Sequence, residues 1–447
     1  MLETSGRASR SRIRWLEREL PGRWCVLSWL VATTIFVGLV RLLHGPSGGD
    51  AIVSIFSTWS IAHGNVACAY PPNQAGSFPF IAPLWPLISG GISALMHIGG
   101  SVPFPSNTMM GSNCSSGLTA MARWSTHSDA LPSTLRIGYV SWLFVMGGVV
   151  ALLRATGRGR TGWEAVTVIA IACMPPVFMP LQQYFHACDL VAMGLILGGL
   201  ACVRRGRWGW AGVLLALAVL SQQFALLVLA PLVVIAPRDR RSQLLGTTLA
   251  TSLVVVVPLV VLTSGRVLGP VLLGSGDSRA FGGTVIWEMH LHGAVLVSLC
   301  RVAPIVLSMA LAWLAVTRLG DRVLEAVPLL SLVGTALALR LVFEINLWGY
   351  YFMAVTLALL MVDIIRGKVR WSFLLWLAVV SFAFDPPPWG SETLHHAIPV
   401  WLFQIVLVPA AVALAAGPLF SAVRGETRSD LDPDLDQVRN DLIPATI

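Results

Sequence analysis

Lysine is almost missing from this chain: of 30 basic residues among 447, 29 are arginine and the exception is Lys368. Charge of either sign is scarce, 12% of residues against about a quarter in soluble domains, which excludes a water-soluble fold. Seven cysteines stand at scattered spacings, so they spell neither a paired metal motif nor a small disulfide scaffold. No internal repeat is visible, which counts against transporter folds made of duplicated halves. The net charge of +8 lies on no continuous basic face, so nucleic acid is not its cause.

What fills the chain instead is apolar, 55% of residues. At about 20 residues per crossing this length predicts one all-α, polytopic transmembrane domain of about 11–13 membrane segments. The arginines gather in short clusters between apolar runs, as they do where basic residues hold loops in the cytoplasm. Six of them (Arg7, Arg10, Arg12, Arg14, Arg18, Arg23) precede the first apolar run, 24–43. That run is too long for a signal-peptide core and reads as an anchor with an inside amino terminus.

The expected organisation is a cytoplasmic basic arm (1–23), a transmembrane domain (24–417) and an Asp-rich cytoplasmic tail (418–447). Within the domain, 44–131 forms a first extracytoplasmic loop and 264–292 a second. The segment 78–97 carries Pro79, Pro83 and Pro86 in its first half and reads as a re-entrant or surface-lying piece. Crossings are expected at 132–153, 163–181 and 188–203. The block 209–236 lies between two arginine clusters, so it reads as two short legs meeting at Ser221-Gln222-Gln223. Further crossings follow at 244–262, 293–316, 323–342, 348–365, 371–384 and 397–417. All nine histidines then land on the outer side or in the re-entrant piece. Cys68 and Cys114 fall outside too, where a disulfide is possible.

Four constellations carry chemistry. Asp50 follows the flexible Gly-Pro-Ser-Gly-Gly approach to an apolar stretch; it either caps that helix or, partly desolvated, accepts a proton from a hydroxyl. His186 and Asp189, three apart after Gln182-Gln183-Tyr184-Phe185, either hold a substrate group together or reduce to a helix-start carboxylate and its neighbour. Glu288, His290 and His292 end the second outer loop; two alternating histidines are a weak metal signal. Arg340 and Glu344, spaced i, i+4 beside Asn346, Tyr350 and Tyr351, either pair with each other or present a guanidinium to a lipid phosphate.

In chain order there is an acid in the first outer loop (Asp50), Tyr70-Pro71-Pro72, and the Pro-rich run Phe78 to Pro86. Next come the aromatic-His-x-x-Asp helix start (Tyr184 to Asp189), Ser221-Gln222-Gln223-Phe224 with Pro231, and an Arg-led Tyr-Tyr helix (Arg340, Tyr350, Tyr351). This order resembles the GT-C superfamily of membrane glycosyltransferases, especially the actinobacterial envelope mannosyl- and arabinofuranosyltransferases that use polyprenyl-phosphate sugars. An arginine-heavy chain fits a GC-rich source.

The resemblance implies an inverting, metal-independent glycosyltransferase of the plasma membrane, whose termini the arginine distribution and the polar tail place in the cytoplasm. It would move a hexose or pentose from a polyprenyl-phosphate donor to an envelope glycan or glycolipid, with no cofactor and with membrane lipid as its surroundings. Asp50 would be the general base, and Arg340, His290 or His292 would hold the leaving phosphate. Tyr70, Tyr184, His186, Asp189, Gln223, Glu288, Glu344 and Tyr351 complete the expected pocket. The chain departs from the family pattern in lacking a second acid beside Asp50 and in its Ser-rich stretch 99–130. A transporter or flippase of a lipid-linked sugar, a membrane acyltransferase with a histidine base, and a catalytically silent scaffold are the rival readings.

Overall fold

The computed structural model describes residues 15–42, 49–70, 82–98, 114–127, 134–268, 294–344, 349–384 and 400–425. Among these residues the regular structure is helical, apart from one isolated bridge between Glu19 and Thr161. In chain order the first helices are α1 (Gly22–Leu42), α2 (Gly49–Ala62), α3 (Leu84–Ile98), α4 (Cys114–His127), α5 (Val140–Ala155) and α6 (Gly162–Ala172). The middle of the chain forms α7 (Pro175–Met179), α8 (Ala187–Arg204), α9 (Trp208–Ser221), α10 (Leu226–Ile235) and α11 (Arg238–Leu262). The last are α12 (Ala294–Leu319), α13 (Ala326–Phe343), α14 (Phe352–Ile365), α15 (Trp371–Phe384) and α16 (Val400–Arg424).

Seven helices among the described residues are long and apolar enough to cross a bilayer: Gly22–Leu42, Leu135–Ala155, Ala187–Arg204, Arg238–Leu262, Leu299–Leu324, Ala326–Phe343 and Val406–Arg424. An eighth crossing arises if the bent pair Gly162–Ala172 and Pro175–Gln182 is one broken span. The remaining apolar segments of the sequence reading, such as 209–236 and 371–384, form helices of 10–17 residues. The expected break at Ser221-Gln222-Gln223 is present: α9 ends at Ser221, Gln222 is extended, and a 3-10 turn over Gln223–Ala225 starts α10.

Two local features differ from the sequence expectation. The span read as 163–181 bends by 59° between its two halves. The adjacent Pro175 and Pro176 explain it, because neither can donate a helical hydrogen bond and each restricts the residue before it. Part of the Ser-rich stretch 99–130 is helical, as α4, and is stapled by a Cys68–Cys114 disulfide to the 3-10 turn Val66–Cys68 that follows α2.

Interior and periphery are set by how completely each helix is covered. In the span Ala187–Arg204, 83% of the most hydrophobic window is buried inside the protein, whereas in Arg238–Leu262 only 11% is. A helix apolar all round is stable in either setting, against protein or against lipid tails. α8 packs between α5 and α9, and α9 carries α11 on its outer side. On the other side α13 contacts α12, α14 and α16, and every residue from Phe352 to Ile364 in α14 is buried.

Glycine permits the tightest of these crossings. A Cβ at Gly194 of α8 would lie 2.2 Å from the Phe144 carbonyl carbon, and one at Gly148 of α5 would lie 2.2 Å from the Gly194 carbonyl oxygen. Backbone cannot yield as a side chain can. Gly194→Ala is therefore expected to force α5 and α8 apart and destabilise the protein by about 1–3 kcal/mol or more. A lower melting midpoint in detergent than that of Gly91→Ala checks it, since Gly91 has open space at its Cβ position.

The bundle has two chemically distinct ends. At one lie Arg204, Arg154 and Arg160 with Glu164, and Asp363 with Arg370. At the other, about 27 Å along the 18-residue α8, lies His186. α13 and α14 span the same interval: Arg340 and Tyr351 share the His186 end, while Asp363 and Arg370 share the arginine end.

Candidate functional site

The site begins with two helix starts that approach each other. Asp50 sits in the first turn of α2, where a carboxylate faces the positive end of the helix dipole. His186 immediately precedes α8; its backbone N–H donates to Pro180 O and its carbonyl accepts from Asp189 N. The turn before it is a short π-helical stretch over Pro180–Tyr184, closed by Phe185 in the left-handed conformation at φ 58°.

The His186 Nε2 and the Asp50 Oδ2 are 2.8 Å apart, joining positions 136 residues apart in sequence. On the other side of the ring, Nδ1 lies 3.5 Å from Asp189 Oδ2. The result is a carboxylate–imidazole–carboxylate chain that runs inward. Its side-chain exposures fall from 33% at Asp50 to 13% at His186 and 4% at Asp189, so Asp50 is the member a substrate can reach. Asp50 Oδ1 makes no hydrogen bond among the described residues.

Tyr350 stacks on the His186 ring, with centroids 3.9 Å apart, and Tyr351 meets Tyr350 edge-on at 4.6 Å. The Arg340 guanidinium lies 4.1 Å from the Tyr351 ring centre and 5.1 Å from that of Phe224. Its Nε donates to Glu344 Oε2 at 2.9 Å. Of the two outcomes open for Arg340 and Glu344, the i, i+4 ion pair forms. Two ring faces thus lie within cation–π reach of a guanidinium whose N–H groups are chemically suited to an oxyanion.

Beneath His186, the Gln222 amide donates to Cys188 Sγ at 3.5 Å and the Ser221 hydroxyl donates to Cys188 O at 2.8 Å. The polar break in 209–236 thus serves the start of α8. His186, Cys188 and Asp189 place one donor atom each within 4.8 Å of one another, a spacing that suits an ion. His186 and Cys188 are turned toward Asp50 and Gln222, however, and as it stands the cluster is hydrogen-bonded.

Burial opposes a charge on His186, but the Asp50 charge, its 2.8 Å hydrogen bond and the nearby Asp189 and Cys188 outweigh it, holding the imidazole pKa well above its ordinary 6.5. A raised value means that the stabilisation is complete below the unfolded pKa and is lost as pH rises through the folded one. The melting-midpoint difference between the protein and His186→Gln is therefore expected to be largest below about pH 6.5 and to shrink as the pH rises through that raised folded value. A difference that grows with pH would contradict the assignment.

The other expected site residues fall in different places. Tyr70 is buried away from this chain, with its hydroxyl donating to Pro83 O at 3.1 Å and its ring among Ala69, Leu259 and Val267. Gln223 begins the 3-10 turn whose next residue, Phe224, lies under Arg340. The backbone of Tyr184 lies in the π-helical turn. Glu288, His290, His292 and Asn346, along with Pro71, Pro72 and 78–81 of the re-entrant run, lie outside the described residues.

No protein-family model matches this chain, and no curated protein matches it. Among solved structures, ArnT from Cupriavidus metallidurans bound to undecaprenyl phosphate is similar, with 14% sequence identity and a TM-score of 0.44, over 90% of this chain and 78% of that one. Likeness of that degree says nothing about chemistry, which must come from the side chains.

Proposed function

We propose that this protein is an integral-membrane, inverting glycosyltransferase of the GT-C type. It moves a sugar from a polyprenyl-phosphate donor to an envelope glycan or glycolipid on the extracytoplasmic face. The observation that carries the reading is the convergence, at the end of the bundle opposite the arginine clusters, of a reachable carboxylate, the imidazole paired with it and a ring-stacked guanidinium. Arginine clusters mark the cytoplasmic side, so that end faces outward. The Cys68–Cys114 disulfide near the far end of α2 supports the same orientation, because such bonds persist outside the cytoplasm.

In this mechanism the acceptor hydroxyl oxygen attacks the anomeric carbon as the bond from that carbon to the phosphate oxygen breaks. Asp50 takes the hydroxyl proton through Oδ1, while His186 fixes Oδ2 and Asp189 holds the imidazole from behind. The lipid phosphate leaves as an anion without needing an acid, with Arg340 as its electrostatic partner. In-line displacement inverts the anomeric centre. No metal or cofactor is required by these steps.

Purified protein in lipid nanodiscs, given a radiolabelled polyprenyl-phosphate sugar and an envelope extract as acceptor, tests the reading. Release of free lipid phosphate with label in the acceptor supports it. Movement of intact donor between leaflets without release would instead establish the flippase reading. If Arg340 holds the departing phosphate, Arg340→Met loses a charge-assisted hydrogen bond worth about 1.5–3 kcal/mol, a fall in kcat/KM of roughly 10–100-fold. A similar loss with an uncharged lipid-sugar analogue would remove Arg340 from that role.

A further inference from the structure

Trp85 belongs to α3, a helix that contributes no group to the Asp50–His186–Asp189 chain. Its side chain is 1% exposed. A buried indole needs a partner for its N–H, and Trp85 Nε1 donates to Ser54 Oγ at 2.9 Å. Ser54 stands one turn after Asp50, on the same face of α2. A second tie between these helices, Thr58 with Ser89 at 2.7 Å, lies farther from Asp50.

The indole also meets the Phe185 ring edge-on, with centroids 6.4 Å apart. Phe185 immediately precedes His186 and holds the left-handed conformation, which a bulky residue keeps only where its surroundings enforce it. Gly138 supplies the other side of that enclosure: a Cβ there would fall 2.9 Å from Phe185 Cε2. Trp85 therefore touches the helix that carries Asp50 and the turn that carries His186.

We propose that Trp85 is a positioning residue: a single indole ties the Asp50 helix to the strained Phe185 turn and so sets the Asp50–His186 separation. The kinetic part of this inference rests on the transferase reading; the geometric part does not. Besides Asp50, the groups around the His186 ring are Asp189, Cys188 and the Tyr350–Tyr351 pair, none of which Trp85 holds in a hydrogen bond.

Two conservative variants test it. Trp85→Phe keeps a ring against Phe185 and removes the N–H, whereas Ser54→Ala keeps the indole and removes its acceptor. Trp142→Phe is the control, since Trp142 is equally buried and loses an equivalent bond, to Thr33 Oγ1 at 3.0 Å. Each test variant is expected to lower kcat at least about tenfold with KM within about twofold, and to have no further effect in a His186→Ala background, as expected of coupled residues. An undiminished loss in that background would overturn the proposal.

The second readout needs no turnover. In protein labelled with 15N-histidine, the hydrogen-bonded Nε2–H signal of His186, identified by its loss in His186→Gln, should move toward that of an unpaired imidazole in Trp85→Phe and Ser54→Ala. It should stay in place in Trp142→Phe. An unmoved signal in both test variants, or an equal movement in the control, overturns the proposal. Absence of any sugar transfer by the unmodified protein would end the transferase reading and leave this second readout to decide alone.

Discussion

Asp50→Asn is expected to lower the rate of sugar transfer by roughly 10²–10⁴-fold, the range a positioned general base contributes. The amide is nearly isosteric and can still accept from His186 through its oxygen, so the 2.8 Å contact does not need to be lost for the rate to fall. Donor binding should change little, because Asp50 acts on the acceptor hydroxyl in this mechanism. Single-turnover measurements at saturating donor separate these effects: a reduced chemical step with unchanged donor affinity fits the base assignment. An unchanged chemical step would remove Asp50 from catalysis and return it to the simpler role of a first-turn helix carboxylate.

The largest effect on stability is expected at the opposite end of the bundle, at Glu164. Its side chain is fully buried and accepts from Arg154 Nε and Nη2, each at 3.1 Å, from Arg160 N at 2.8 Å and from Trp29 Nε1 at 3.2 Å. The Arg154 guanidinium also lies 5.2 Å from the Trp29 ring centre. Glu164→Ala strands a guanidinium, a backbone N–H and an indole N–H together. Breaking such a pair costs about 3–5 kcal/mol, and the lower figure applies because about a third of Arg154 remains in solvent. The melting midpoint in detergent should fall by several degrees. Replacing Arg154 and Glu164 together by Met and Leu should recover much of the loss, since no group is then left charged and unpaired. Failure of the double replacement to recover stability would show that Glu164 acts through its backbone and indole partners alone.

Much of the membrane architecture was readable without coordinates. Arginine clusters bracket many of the apolar helices, and the polar Ser221-Gln222-Gln223 break was expected because an arginine cluster stands at each end of 209–236. The Arg340–Glu344 pair was readable for a different reason: i, i+4 spacing on one helix brings two side chains together whatever else the chain does. The bend at Pro175 and Pro176 carried a visible signal, two successive prolines, that a hydropathy count alone passes over. Helix α4 had a weaker one, since a Ser-rich stretch with few large apolar residues resembles a loop until a disulfide and packing against α2 hold it.

The candidate site was readable residue by residue and not as an arrangement. Asp50, His186, Asp189, Arg340 and Tyr351 each stood out as polar groups in apolar surroundings, which are costly unless they serve a purpose. Trp85 did not, because an aromatic residue in a hydrophobic chain looks the same whether it packs, anchors or orients a neighbour.

Composition and the spacing of arginines alone determined that this is a helical chain built for a bilayer, because the cost of placing charge in hydrocarbon acts on each segment separately. Which carboxylate meets which imidazole, across 136 intervening residues, was decided only when α2 and α8 came together. Where they meet, the Trp85 indole packs edge-on against Phe185, and at Gly138 the lack of a side chain leaves room for that ring; such shape complementarity between distant segments leaves no periodic trace in the order of amino acids.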